Sequence, residues 1–217
     1  MEQIKLDVPL IGILRGIDGG FFREVMATSF AAGLTALEIT MNTENAAEIV
    51  RSCRARVPAG KLLGIGTVRN RDEAEIAIAA GAMFLVTPNT DIRVIEYGAK
   101  RNIPVIAGAF TPTEIYRAWA AGATMIKVFP CSVAGPAYLR EIRGPFDHIP
   151  LLAVGGVTRE NLGEYFRAGA AGVGVGSALF GAHALREKKP KEIGENVGRF
   201  VEAVTTASTA RPEHCAG

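Results

Sequence analysis

Ala121-Gly122-Ala123-Thr124-Met125-Ile126-Lys127-Val128-Phe129-Pro130 holds a helix stop and a buried strand in consecutive residues. Glycine just past a helix end is the expected terminator, because it enters left-handed backbone without steric cost. The β-branched and aromatic run after it prefers a strand. The same signal recurs at Ala32-Gly33-Leu34, Ala80-Gly81-Ala82 and Ala168-Gly169-Ala170, and the four glycines are 48, 41 and 47 residues apart. Each interval has room for two strand–helix units, so four such pairs make eight.

The apolar pattern agrees. Strands are expected at 10–14, 36–39, 62–65, 84–87, 104–107, 125–129, 151–154 and 172–175, with amphipathic helices at about 19–32, 43–56, 70–80, 91–101, 112–121, 134–143 and 159–168. Asn70-x-x-Glu73 and Thr111-Pro112-Thr113-Glu114 read as capping boxes. Strands that each lead into a helix pair in parallel through crossovers. The expected fold is an α/β (β/α)8 TIM barrel over residues 1–204, with 205–217 a fraying tail. An open doubly wound sheet competes. Its glycine fingerprint should come after the first strand, whereas Gly172-Val173-Gly174-Val175-Gly176-Ser177 makes up the last.

The chain of 217 residues is 48% apolar and 21% charged with a net charge of +2, and its Lys and Arg are dispersed, so no basic patch points to nucleic acid. Residues 1–14 carry neither a signal-peptide pattern nor a membrane span. Cys53, Cys131 and Cys215 are far apart and form no C-x-x-C, which fits a reducing cytoplasm. His148, His183 and His214 have no ligand spacing, so no metal is expected. Cys131 reads as a packed thiol, and Thr43, Thr90, Thr111 and Thr158 read as helix N-caps.

Lys127 is a charged amine inside an apolar strand. Burial disfavours the ammonium form and makes the amine a nucleophile able to form a Schiff base; the blander reading is a lysine that snorkels to solvent. Glu38, in Ala36-Leu37-Glu38-Ile39-Thr40, is a carboxylate in a similar setting. Strands 2 and 6 lie across the barrel and are both even-numbered, so the two side chains can share a layer and shuttle protons. A buried ion pair without chemistry is the alternative. At the C-terminal ends of the strands, where such barrels keep their chemistry, fall Arg15, Glu38, Thr67, Thr87 and Lys127. The same rim holds Gly155-Gly156 and Gly176-Ser177, which suit a phosphate site or ordinary tight turns.

Leu37-Glu38-Ile39-Thr40, Gly64-Ile65-Gly66-Thr67-Val68, Val86-Thr87-Pro88-Asn89, Ile126-Lys127-Val128-Phe129-Pro130, Gly155-Gly156-Val157 and Val173-Gly174-Val175-Gly176-Ser177 together resemble the class I 2-keto-3-deoxy-6-phosphogluconate aldolase family. That family includes 4-hydroxy-2-oxoglutarate and 2-keto-3-deoxy-6-phosphogalactonate aldolases. The resemblance implies a cytoplasmic, homotrimeric, cofactor-independent lyase that cleaves a phosphorylated sugar acid to pyruvate and glyceraldehyde 3-phosphate, with no nucleic acid or membrane partner. It implies Lys127 as the Schiff-base lysine and Glu38 as the general acid/base. It also implies substrate contacts at Arg15, Thr67, Thr87, Pro88, Phe129, Gly155, Gly156, Gly176 and Ser177. Asn42 stands where many members have arginine, and Thr87-Pro88-Asn89 where gluconate-type members have Ser-Pro-Gly. Both look more like the phosphogalactonate branch. The choice of sugar stays open, as do a phosphosugar isomerase or epimerase and a catalytically dead sensor on the same barrel.

Overall fold

A computed structural model describes residues 6–209. Eight parallel strands close into a barrel in sequence order. They are β1 (Leu10–Leu14), β2 (Ala36–Thr40), β3 (Leu62–Gly66), β4 (Leu85–Val86), β5 (Val105–Ala109), β6 (Met125–Val128), β7 (Leu151–Val154) and β8 (Gly172–Val175). The helices α1 (Gly19–Ala31), α2 (Ala46–Cys53), α3 (Arg71–Ala79), α4 (Ile92–Ala99), α5 (Pro112–Ala120), α6 (Cys131–Arg143) and α7 (Leu162–Arg167) connect them. Two short helices, α8 (Ser177–Phe180) and α9 (Ala182–Arg186), precede α10 (Pro190–Thr209). This is the expected (β/α)8 barrel. No helix among the described residues is long and apolar enough to cross a membrane.

The predicted glycine stops are real, and their hydrogen bonds show why. Gly33, Gly81, Gly122 and Gly169 have φ of +99°, +94°, +98° and +91°. The N–H of the next residue reaches back five positions: Leu34 to Ser29, Ala82 to Ala77, Ala123 to Ala118 and Ala170 to Tyr165. Such six-residue closures satisfy carbonyls that a helix end leaves bare. The end of α4 makes the same closure, Ile103 N–H to Gly98 O, around Asn102 at φ +56°. Asparagine is the usual substitute for glycine there, which is why the glycine repeat skips this helix.

Thr111 forms the predicted capping box with Glu114, and the Asn70 side chain accepts from Glu73 N–H. Three expected threonine caps are not caps. Asn45, Asp91 and Asn161 occupy the cap positions of α2, α4 and α7. Thr43 bonds Gly16 instead, Thr90 donates to Gly108 O, and the Thr158 N–H donates to Asn161 Oδ1. Each had a capping residue type one to three positions too early. The C-terminal helix α10 runs to Thr209 with Val204 buried, so the fraying expected from 205 does not hold for 205–209; residues 210–217 lie outside those described.

Two apolar clusters divide the molecule. One joins the outer strand faces to the helices. The other fills the barrel with Ile11, Phe84, Ile106, Met125, Leu152 and Val154. Gly64 belongs to the second, since a Cβ there would stand 2.6 Å from the Phe84 ring. The barrel is therefore plugged by side chains below, and Glu38 and Lys127 lie further along β2 and β6 towards the C-terminal rim.

Candidate active site

Glu38 comes from β2, where it pairs in register with Ile13 of β1 and Gly64 of β3. Lys127 comes from β6, between Gly108 of β5 and Leu152 of β7. Both are buried, Glu38 at 1% and Lys127 at 6% exposure. Neither Glu38 oxygen has a hydrogen-bond partner, and no ion pair within 4.0 Å joins it to Lys127 among the described residues. The buried-ion-pair alternative is thus not the observed arrangement. The Glu38 carboxyl is left with unused hydrogen-bonding capacity, and it and the Lys127 amine each feel the other's charge.

Their titration depends on that setting. Burial raises Glu38 from 4.5 to about 7, and the charges of Lys127 and Arg15 only partly oppose it. Burial also lowers the Lys127 pKa, Arg15 lowers it further, and Glu38 pulls the other way. A carboxyl poised near neutrality and an amine of reduced basicity, each within the other's field, have the titration that acid/base and nucleophilic chemistry requires. The Lys127 Nζ lies 5.0 Å from the centroid of the Phe129 ring, which is 40% exposed at the rim.

Arg15 leaves β1 one pleat beyond the Glu38 level. It lines a cavity of about 480 Å³ together with Gly155, Gly156, Thr158, Gly176 and Ser177. Lys127 and Glu38 do not line this cavity. Ile13 and Val154 do, from the strands that flank β2 and β6. The predicted phosphate loops and the Lys127–Glu38 pair are adjacent regions of one rim, with Arg15 electrostatically coupled to the pair. Among the described residues, no cluster of three His, Cys, Asp or Glu is placed to hold a metal.

The sequence profile of the KDPG and KHG aldolases matches residues 8–196. A protein of Rhizobium meliloti (strain 1021) named "Probable 2-dehydro-3-deoxy-6-phosphogalactonate aldolase" is 36% identical, covering 83% of this chain and 87% of its own. The 2-dehydro-3-deoxy-6-phosphogalactonate aldolase of Escherichia coli (strain K12) is 34% identical over 93% of this chain and 99% of its own. A solved structure described as native KDPGal superposes with a TM-score of 0.89 at 32% identity, covering 96% of this chain and 100% of that one. The chain belongs to the KDPG and KHG aldolase family. It is an aldolase, a lyase that cleaves a carbon–carbon bond.

Within this aldolase several predicted residues have a more specific placement than their spacing showed. Thr87 is fully buried, its hydroxyl donating to Asn89 O at 2.6 Å and accepting from Gly108 N–H at 2.9 Å. Its hydrogen-bonding capacity is spent on the wall that carries Pro88. A Cβ on Gly108 would fall 2.4 Å from the Pro88 carbonyl carbon, so the wall packs against bare backbone. Thr67 has φ +55°, an unusual state for a β-branched residue that costs about 1–3 kcal/mol and persists only where the surrounding structure enforces it. Gly155 and Gly156 also have positive φ, and a Cβ on Gly156 would lie 2.8 Å from Ser132. Backbone shape and the closeness of Ser132 therefore demand glycine there. Asn42 is exposed. Cys131 donates to Val128 O and burial pushes its pKa up to about 11, which bears out the packed, unreactive thiol.

One residue of the site has no role assigned by sequence, although it lies within Gly64-Ile65-Gly66-Thr67-Val68. A Cβ on Gly66 would lie 2.2 Å from Glu38 Oε1; the carboxyl rests on that glycine. Nothing in a single sequence distinguishes this glycine from the one at 64, which accommodates Phe84. Gly66→Ala is expected to displace the carboxyl and lower kcat by about 10²-fold or more. Adding Glu38→Gln to Gly66→Ala should then lose little further. Independent, multiplying losses in that double variant would show that Gly66 serves something other than Glu38.

Proposed function

We propose that this chain is a Schiff-base aldolase for a 2-keto-3-deoxy-6-phospho sugar acid, with the galactonate epimer as substrate. The observation that carries it is the buried pair Lys127 and Glu38, the carboxyl without a hydrogen-bond partner, next to the cavity of Arg15 and the glycine loops. The names of the relatives and the Asn42 and Thr87-Pro88-Asn89 features support the galactonate choice.

Neutral Lys127 adds to the C2 ketone, and loss of water leaves an iminium. Glu38, directly or through a water, takes the C4 hydroxyl proton as the C3–C4 bond breaks. The bonding electrons pass into the iminium, glyceraldehyde 3-phosphate departs, and an enamine of pyruvate remains. Glu38 returns its proton to C3, and water hydrolyses the iminium to release pyruvate and Lys127. Every proton that moves has a carboxyl poised near pH 7 to carry it. In this reading Thr67 holds the pyruvate carboxylate, and Phe129, Pro88 and Thr87 shape the walls. Arg15 binds substrate anion, and Gly155, Gly156, Gly176 and Ser177 receive the phosphate.

The assembly that goes with this reading is a homotrimer, on the family likeness. Val133 is 78% exposed close to the half-exposed Phe129, apolar surface that a neighbouring subunit would cover. The free thiols Cys53 and Cys131 suit a cytoplasmic protein.

The test compares pyruvate release from the two C4-epimeric sugar acid phosphates in a lactate dehydrogenase-coupled assay. The galactonate epimer should be cleaved with a kcat/KM at least about tenfold higher, the worth of one well-placed hydrogen bond to a hydroxyl. A preference for the gluconate epimer would reverse the substrate assignment, and sugar-phosphate binding without pyruvate would leave only a sensor.

A further inference from the structure

Arg15 sits on a turn that its own neighbours do not hold in place. Gly16, the next residue, has φ +62°, and nothing lies within 4 Å of where its Cβ would be. The glycine there serves backbone shape alone. The group that fixes the turn comes from the loop after the neighbouring strand β2. The Gly16 N–H donates to Thr43 Oγ1 at 3.0 Å, between residues 27 apart in sequence. Thr43 is 5% exposed, and its hydroxyl lies 3.0 Å from that of Thr40, itself fully buried. Thr43 is further pinned by its own N–H donating to Thr40 O at 2.8 Å. Thr40 lies one pleat beyond Glu38 on the same face of β2.

We propose that Thr43 is a positioning residue for Arg15: with Thr40 it ties the arginine-bearing turn to the strand of the acid/base. The proposal rests on the reading of Arg15 as a substrate-binding residue. Two buried hydroxyls and one backbone N–H form a chain in which each member has its partner, and such chains set geometry more strictly than single bonds. A guanidinium on a flexible turn would bind the same anion, but would first have to be ordered, which weakens binding. The Thr40–Thr43 link removes that requirement before substrate arrives. A helix cap at Thr43, the reading from sequence, would have no such consequence for Arg15.

Thr43→Val keeps shape and volume but removes the acceptor. It should raise KM for the phosphorylated sugar acid about tenfold, the effect of one lost hydrogen bond, while kcat stays within about twofold because Lys127 and Glu38 are untouched. Thr43→Ser, which retains the hydroxyl, should restore KM. In an Arg15→Ala background, Thr43→Val should change KM by less than about twofold, since the residue it acts through is gone. The proposal is overturned if the KM increases multiply in the double variant, if serine fails to rescue, or if the loss appears in kcat. A raised KM in Arg15→Ala with an unchanged KM in Thr43→Val overturns this proposal alone. An unchanged KM in Arg15→Ala overturns the role of Arg15 and this proposal with it. Should the valine variant not fold, Thr43→Ala goes through the same cycle with the same outcomes.

Discussion

Lys127→Ala should lower kcat/KM by at least about 10⁴-fold, because removing the nucleophile of a covalent mechanism leaves only binding and acid/base effects. Borohydride added with pyruvate should inactivate the wild-type protein irreversibly and leave a reduced adduct on Lys127, found by peptide mass analysis. The alanine variant should take up no label. The basis is the side chain's burial at 6% exposure and its lowered pKa, which leave a larger share of neutral amine at neutral pH than a surface lysine has. A chelator should leave wild-type cleavage unchanged. Full activity in Lys127→Ala, or adduct formation at another lysine, would refute the assignment and favour an isomerase or epimerase using the same rim.

Glu38→Gln should reduce kcat by about 10²–10⁴-fold, the span of general acid–base catalysis. It should still capture pyruvate on Lys127, since imine formation needs the amine more than the carboxyl. In the wild type, kcat/KM should climb with pH through about 7 as Glu38 becomes a base, and that limb should vanish in the glutamine variant. Stability should respond in the opposite sense. The folded state binds the Glu38 proton more tightly than the unfolded chain does, so stability falls as pH rises from 4.5 to about 7 and is level above that. An ionised carboxyl with its pKa moved from 4.5 to about 7 costs about 3 kcal/mol at pH 8. Glu38→Gln should therefore be more stable than wild type at pH 8, by up to about that amount, with the gap closing at pH 4. Denaturant unfolding at the two pH values decides it. Equal stability at both would mean that the carboxyl is solvated or paired in solution and is not the poised base.

These two predictions concern residues that stand out in sequence because they break a local pattern. A charge within an apolar strand needs a partner or a use, and that inference requires only strand periodicity. Arg15, Gly155, Gly156 and Ser177 are legible for a related reason. Each comes within two residues of a strand end, and the C-terminal rim of a barrel gathers the residues there. The misread residues are threonines. Thr43, Thr90 and Thr158 have the right chemistry for caps in the right neighbourhood, but Asn45, Asp91 and Asn161 take those places. A hydroxyl can satisfy a local N–H or a distant one about equally well, so the choice falls to tertiary geometry.

Sequence alone determined the alternation of strands and helices, their stops at Gly33, Gly81, Gly122 and Gly169, and the burial of Lys127 and Glu38. All of these depend on backbone preferences and side-chain periodicity that act over a few residues. Only the tertiary structure decided that Gly66 cradles the Glu38 carboxyl, that the Thr87 hydroxyl is consumed by the β4–β5 wall, and that Thr43 holds the turn of Arg15 from 27 residues away. Those contacts arise where separate strand ends meet after the barrel closes, and no local preference encodes which atoms will then face each other.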